Sequence, residues 1–360
     1  VLKLLRLRKS IILHTMRAKE LSSEIELVSQ QEKETQLILE NLQEWELLIS
    51  EIYIAKGKSG SARTEVIESI QGDDLMHPDA PKLSQKAQIA SFTLNEKLLG
   101  IDDLSSVKRI PFLRNIINVV LSNRNLLDDA LICERLFYAL LNVGLLSIIY
   151  HDSENFSFAK EQLESLSNER HEFEVLVFER KSKLNLKSCL YRSMYAEGLL
   201  LENEVLRGLE KFGSRMSKVH LIDISLDMAL LYFHSQQWSR MSQILFKLLN
   251  EEQSSNIENR TISVWLLYLI AQFQLGNYDV VRSYSKYGLK FIRNIDAQLE
   301  LPRFVFEFLP KIASKNSIGS RKNSLATFRK ELSYLLDQSE HSYFKITVPF
   351  LKWIDDEIEL

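Results

Sequence analysis

Trp238 and Tyr278 stand 40 residues apart, each just after a short polar turn and at the head of a Leu-containing amphipathic segment. A fixed period of this size settles architecture before local detail does, because units too small to bury their own apolar face must stack on copies of themselves. The spacing inside each unit says what it is made of. In 222–236, Ile224, Met228, Leu231 and Tyr232 recur at helical intervals; Trp265, Leu269, Ile270 and Phe273 do the same in the next unit. Turn-rich strand folds consume Gly, Pro, Asn and Asp. Here Gly (11) and Pro (6) are scarce for 360 residues, against average usages of about 7% and 5%. Leu dominates the apolar set, and Leu, Glu and Lys favour helix. No set of alternating strands emerges. The most strand-like fragment, ITV at 346–348 before Pro349, reads as a helix start or an extended link.

The clearest unit is SVWLLYLIAQFQLGNYDVVRSYSKYGLKFI, residues 263–292. One helix is predicted to end at Leu275–Gly276–Asn277, where Gly permits a positive φ, and Tyr278 opens the next. This unit resembles a tetratricopeptide repeat through Trp265, Gly276, Asn277, Tyr278 and the small Gly288. Val281 and Leu269 stand where that repeat has small residues, which suggests altered packing between its two helices. A second copy lies at 225–249, with Tyr232, Gln237 and Trp238 in corresponding places. A third lies at 143–166, with Tyr150, Asn155, Phe156 and Ala159. The unit between them is expected to turn near Glu197–Gly198. A further step of 40 lands on Ile318–Gly319, inside what reads as the loop SKNSIGSRKNS. The resemblance covers 140–335. It implies an all-α chain folded as a right-handed stack of antiparallel helical hairpins, an α-solenoid, preceded by irregular N-terminal helices.

That reading divides the chain into N-terminal amphipathic helices over 1–55, a linker and short helix over 56–81, a repeat domain over 82–340 and a capping helix over 341–360. Within 20–53, Leu21, Ile25, Val28, Leu39 and Leu42 lie at 3–4 spacing, and Trp45, Ile49 and Ile52 follow a phase shift. One or two long helices are expected rather than a coiled coil with sustained heptads. KGKSGSAR (56–63) reads as a flexible joint, and after HPDAP either Pro81 or Ser84 begins a new helix. Val1–Lys19 is basic and residues 20–51 are acidic, so the two are expected to pair as a hairpin or along a partner chain. The chain starts at Val1 rather than Met, which leaves room for an upstream segment.

Several chemistries find no support. A net charge of −3 is not the basic excess of a nucleic-acid binder. Cys133 and Cys189 sit in apolar helical contexts and suit a reducing, cytoplasmic setting. Gly57–Lys58–Ser59 ends like a phosphate loop, but Ile52 stands where that loop needs Gly, and no strand precedes it. His171–Glu172 lacks the second His of a zinc helix, and the seven histidines are scattered singly. No metal, cofactor or catalytic residue is assigned. No apolar run reads as reaching the roughly 18 residues of a membrane span. The basic stretch Lys311, Lys315, Arg321, Lys322, Arg329 and Lys330 reads as a solvated loop, with Asn323 or Ser324 capping the following helix.

Stacked hairpins offer an extended inner face that holds peptides or helices. Carrying over the tetratricopeptide groove positions gives Ile148, His151 and Asp152 in one unit. The same positions are Leu226, Leu230, Phe233 and His234 in the next clear copy, and Leu266, Ile270, Phe273 and Gln274 in the last. Being mostly apolar, they suit an amphipathic segment, or else they are core. The expected function is a protein-interaction module or scaffold, with a protein or peptide partner and possible self-association through the N-terminal helices; neither nucleic acid nor membrane is an expected partner. The competing classes are the sensor domain of a larger regulator and an enzyme with a dispersed site.

Overall fold

The computed structural model describes residues 1–360 other than 16–17, 59, 102, 252–257, 294–298, 316–317, 338–347 and 360. The described residues form seventeen α-helices joined by turns and short 3-10 segments, with no strand among them. Of the ITV fragment, Ile346 and Thr347 lie outside the described residues. The helices gather into two compact units, 1–169 and 170–360.

In the first unit, α1 (Leu2–Thr15) packs along α2 (Ala18–Lys56). The opposite charges of the two stretches meet: Arg6 and Lys9 reach Glu32, and Arg8 reaches Glu24. Beneath them Ile12 and Val28 are buried. Glu32 and Thr35, polar residues among the apolar positions of this stretch, lie within an unbroken α2, where Glu32 takes these cations and the Thr35 hydroxyl donates to the Gln31 carbonyl one turn back. The second half of α2 buries Trp45, Leu48, Ile49 and Ile52 against α3 (Ser61–Gln71) and α4 (Gln85–Leu99). The chain after HPDAP is pinned by Asn41, whose amide donates to the Pro81 carbonyl and whose oxygen accepts from the Leu83 N–H. Ser84 then caps α4 by accepting from the Ala87 N–H.

α5 (Ile110–Ser122), α6 (Ala130–Ile149) and α7 (Ser153–Glu169) complete this unit. Where α4, α5 and α6 converge, the Glu96 carboxylate is fully buried and accepts from the Arg109 guanidinium (Nε at 2.9 Å) and the Tyr138 hydroxyl (3.1 Å). The expectation that nothing in the chain resembles a membrane span needs correction. α6 is long and apolar enough by composition, with a mean hydropathy of 1.7, but 67% of its apolar window is packed inside the protein. Its Arg135 also pairs with Glu46 of α2.

The second unit runs α8 (Glu174–Tyr191), α9 (Tyr195–Leu200), α10 (Glu202–Phe212), α11 (Lys218–His234), α12 (Trp238–Glu251), α13 (Glu258–Gln274), α14 (Tyr278–Arg293), α15 (Glu300–Ala313), α16 (Ile318–Leu336) and α17 (Phe350–Glu359). From α11 to α16 each helix packs on its sequence neighbour. The alternate helices α8, α11, α13 and α15 also touch in series.

One turn recurs. α6, α8, α11 and α13 each end in a left-handed residue, at His151, Ser193, Gln236 and Gly276, with φ of 55–72°. In each case the next N–H bonds five residues back: Asp152 to Ser147, Met194 to Cys189, Gln237 to Tyr232 and Asn277 to Gln272, all at 2.8–2.9 Å. This pairing satisfies the carbonyls that a helix end leaves open. Two expectations about the register are corrected. Glu197–Gly198 lie inside α9, and the turn sits at Arg192–Met194, because Ser193 takes the left-handed conformation without being Gly. Ile318 opens α16 instead of lying in a loop, so α12, α14 and α16 begin at Trp238, Tyr278 and Ile318. Asn323 and Ser324 are therefore inside α16 and cap nothing; the Ser324 hydroxyl donates to the Ser320 carbonyl.

Packing explains why one small residue is kept. A Cβ at Gly288 would come within 2.7 Å of the Phe306 ring, so α14 and α15 approach at that point only through Gly. Val281 and Leu269, the larger residues at positions expected to be small, are both fully buried.

Candidate helix-binding face

The candidate residues separate by depth. Ile148 is core in the first unit, whereas His151, the left-handed turn residue, is exposed and Asp152 half-buried. Asp152 caps α7, accepting from the Asn155 N–H at 3.0 Å. The other eight lie in the second unit at matching positions of α11 and α13. Leu226, Phe233, Leu266, Ile270 and Phe273 are buried, and Leu230 is half-buried. Helical periodicity puts Phe233 and Phe273 on the last turn of their helices. There Phe233 meets Trp238 edge-on (5.4 Å between ring centres) and Phe273 meets Tyr278 (5.5 Å). Each turn thus folds the first aromatic of the second helix back onto the last aromatic of the first.

The remaining two, His234 and Gln274, form the rim, and both touch α17. Lys352 donates to His234 Nδ1 at 3.0 Å, and the Gln274 amide donates to Glu357 at 2.6 Å. Trp353 lies edge-on to Phe273 with ring centres 5.4 Å apart and is 1% exposed. Tyr195 of α9 stacks on the His234 imidazole at 4.4 Å. On the far side of α17, Arg329 of α16 pairs with Asp355. The helix is seated by its own pattern: Phe350, Trp353 and Ile354 are i, i+3, i+4 and all buried, with Lys352 between them and Asp355, Asp356 and Glu357 after them. Burial first, and the Lys352 ammonium second, lower the His234 pKa to about 4, with Asp356 opposing. His234 is therefore neutral near pH 7 and accepts the Lys352 proton.

Toward the N-terminal ends of the same helices the face is polar. Arg180 of α8 donates to His220 of α11 (2.9 Å), and Asp223 bridges Lys183 (2.7 Å) and Arg260 of α13 (2.6 Å). One turn on, Lys187 reaches Asp227 at 2.7 Å. Burial pushes the Asp227 carboxyl up while that ammonium opposes it. His220 is lowered to about 4 by burial and by Arg180 and Lys183. These charges cross-link the alternate helices α8, α11 and α13.

In the first unit, the Glu96 cluster holds the most perturbed lysine. Burial lowers Lys97 to about 8, and its ammonium sits 3.5 Å over the Tyr138 ring and 3.6 Å from Glu96. Glu96 Oε1 takes the hydrogen bonds, Oε2 faces only the Lys97 ammonium and has no hydrogen-bond partner among the described residues, and the cluster fastens three helices. Among the described residues no group of three His, Cys, Asp or Glu is placed to hold a metal.

Lys352, Trp353 and Glu357 are not among the residues expected from the sequence, nor is the ladder of Arg180, His220, Asp223 and Arg260. The ladder had a signal: positions 180, 220 and 260, and likewise 183 and 223, follow the 40-residue step of Trp238 and Tyr278. For α17 the apolar i, i+3, i+4 pattern was readable, but what it covers was not. No protein-family model, no curated protein and no solved structure matches this chain.

Proposed function

We propose that this chain is a protein-interaction module, a tetratricopeptide-like right-handed stack of helical hairpins that holds an amphipathic helix along the ends of α11 and α13. The observation that carries the reading is α17: a helix with an apolar stripe and a charged rim lies against His234, Phe273 and Gln274, three of the positions expected to receive one. The recurrence of one turn at the ends of α6, α8, α11 and α13 supports the repeat reading, as does the 40-residue spacing of Trp238, Tyr278 and Ile318. A face of this kind recognises by apolar anchors and a polar rim, and needs no catalytic group. The test is affinity capture from native lysate with tagged full-length chain, alongside His234→Glu and Gln274→Lys. A stoichiometric protein partner held by the parent and lost by both rim variants is the expected result. No partner, or one retained equally by both variants, counts against it.

A further inference from the structure

α17 fits its seat incompletely. The Trp353 indole N–H is buried and has no acceptor among the described residues, and a buried donor left unpaired is a penalty that a better-matched side chain would not carry. Beside Glu357, a cavity of about 250 Å3 stays open; its lining includes Gln274, Tyr278, Arg321 and Lys322. The charged groups on that lining are two cations and one carboxylate. Around these two shortfalls the polar ties are rim contacts: Lys352 to His234 and Tyr195, Asp355 to Arg329 and Glu357 to Gln274. Lys352 itself is exposed.

We infer that α17 is a built-in stand-in for a partner helix, and that the same seat takes an amphipathic helix of another protein when α17 is displaced. The chemistry of the seat describes the ligand. It presents apolar anchors at i, i+3 and i+4, with an aromatic ring at the central position against Phe273. A lysine precedes that ring and meets His234 and Tyr195. A carboxylate one turn later reaches Gln274, and a second acidic side chain enters the cavity toward Arg321 and Lys322. This inference rests on the interaction-module reading and adds that the module competes with itself. Because α17 is tethered, its effective concentration is high, and the apparent affinity for a free helix is reduced by the fraction of time the seat is closed.

The full chain tests this with Gln274→Cys and Glu357→Cys in a Cys133→Ser, Cys189→Ser background, before and after cross-linking by a short bis-maleimide. The probe is a fluorescein-labelled peptide copy of residues 348–360, followed by anisotropy. Three results are expected. The uncross-linked chain binds the peptide and cross-linking weakens binding at least 100-fold. Lys352→Glu in the chain, which loosens the tethered helix without touching its anchors, tightens peptide binding about 10-fold. A peptide carrying Trp353→Ala binds at least 10-fold more weakly. Equal binding before and after cross-linking overturns the inference, and so does an absence of binding even with Lys352→Glu. A lysate partner captured equally by both forms leaves the interaction-module reading standing and removes the stand-in; capture of no partner removes the reading itself.

Discussion

Gln236 is the sharpest place to perturb the repeat. It is exposed and closes α11 with φ 55°, and the Gln237 N–H reaches back 2.8 Å to the Tyr232 carbonyl. The left-handed conformation costs an L-residue roughly 1–2 kcal/mol. Gly at that position removes this cost but returns about 0.4–1 kcal/mol of freedom to the unfolded chain. Gln236→Gly is therefore expected to stabilise by about 0.5–1 kcal/mol, an increase in melting temperature of roughly 2–4 °C per kcal/mol for a unit of this size. Gly276→Ala, at φ 72°, is expected to destabilise by a similar amount. Ser235, one residue earlier at φ −98°, supplies the control: Ser235→Gly gains nothing and loses stability through chain entropy. The assay is urea denaturation followed by circular dichroism, reading the midpoint at unchanged slope. If Gln236→Gly lowers the midpoint as Ser235→Gly does, the turn is not the one described, and the common turn of the four hairpins falls with it.

Three further outcomes follow from the packing. Arg109→Met leaves the Glu96 carboxylate buried without its guanidinium and is expected to cost about 3–5 kcal/mol in chemical denaturation, with Glu96→Gln added to it restoring part of the loss. Gly288→Val drives a side chain into Phe306 and is expected to lower stability by about 1–3 kcal/mol, where a Phe306→Ala partner recovers some of it. His220 and His234 sit at about 4 in the folded chain against 6.5 for an unperturbed imidazole. Their contribution is full above pH 6.5 and is lost as pH falls toward 4. Arg180, Lys183 and Arg260 oppose the charge at His220 while Asp223 favours it; at His234, Lys352 opposes and Asp356 favours. The loss is on the order of 1 kcal/mol for each after screening, and melting curves of His220→Gln and His234→Gln between pH 4 and 7 are expected to be flatter than the parent's.

Much of the all-α reading was legible because helical periodicity is local: Trp265, Leu269, Ile270 and Phe273 recur within two turns and are helical in the structure. The hairpin at 263–292 was legible for the same reason, since Gly276 marks its turn. The turn at Ser193 was not, because a left-handed Ser carries no compositional signal. Ile318 was hidden by the polar run around it; Ser, Asn and Arg read as loop, yet this stretch packs on α15 and α17 and is held as helix. The proposed face was half legible. The positions followed from the repeat, but whether Phe233 and Phe273 line a groove or a core depends on what covers them. Phe233 is met by the nearby Trp238, whereas Phe273 is covered by Trp353, 80 residues away in the chain, and no local pattern records such a pairing.

Hydrogen–deuterium exchange of the full chain, read by mass spectrometry with and without excess 348–360 peptide, tests the helix-holding face most directly. Amides of 353–359 are expected to be protected in the free chain, and to lose protection when the peptide is added while the last turns of α11 and α13 keep theirs. Free exchange of 353–359 without peptide, or unchanged protection with peptide bound, contradicts this expectation.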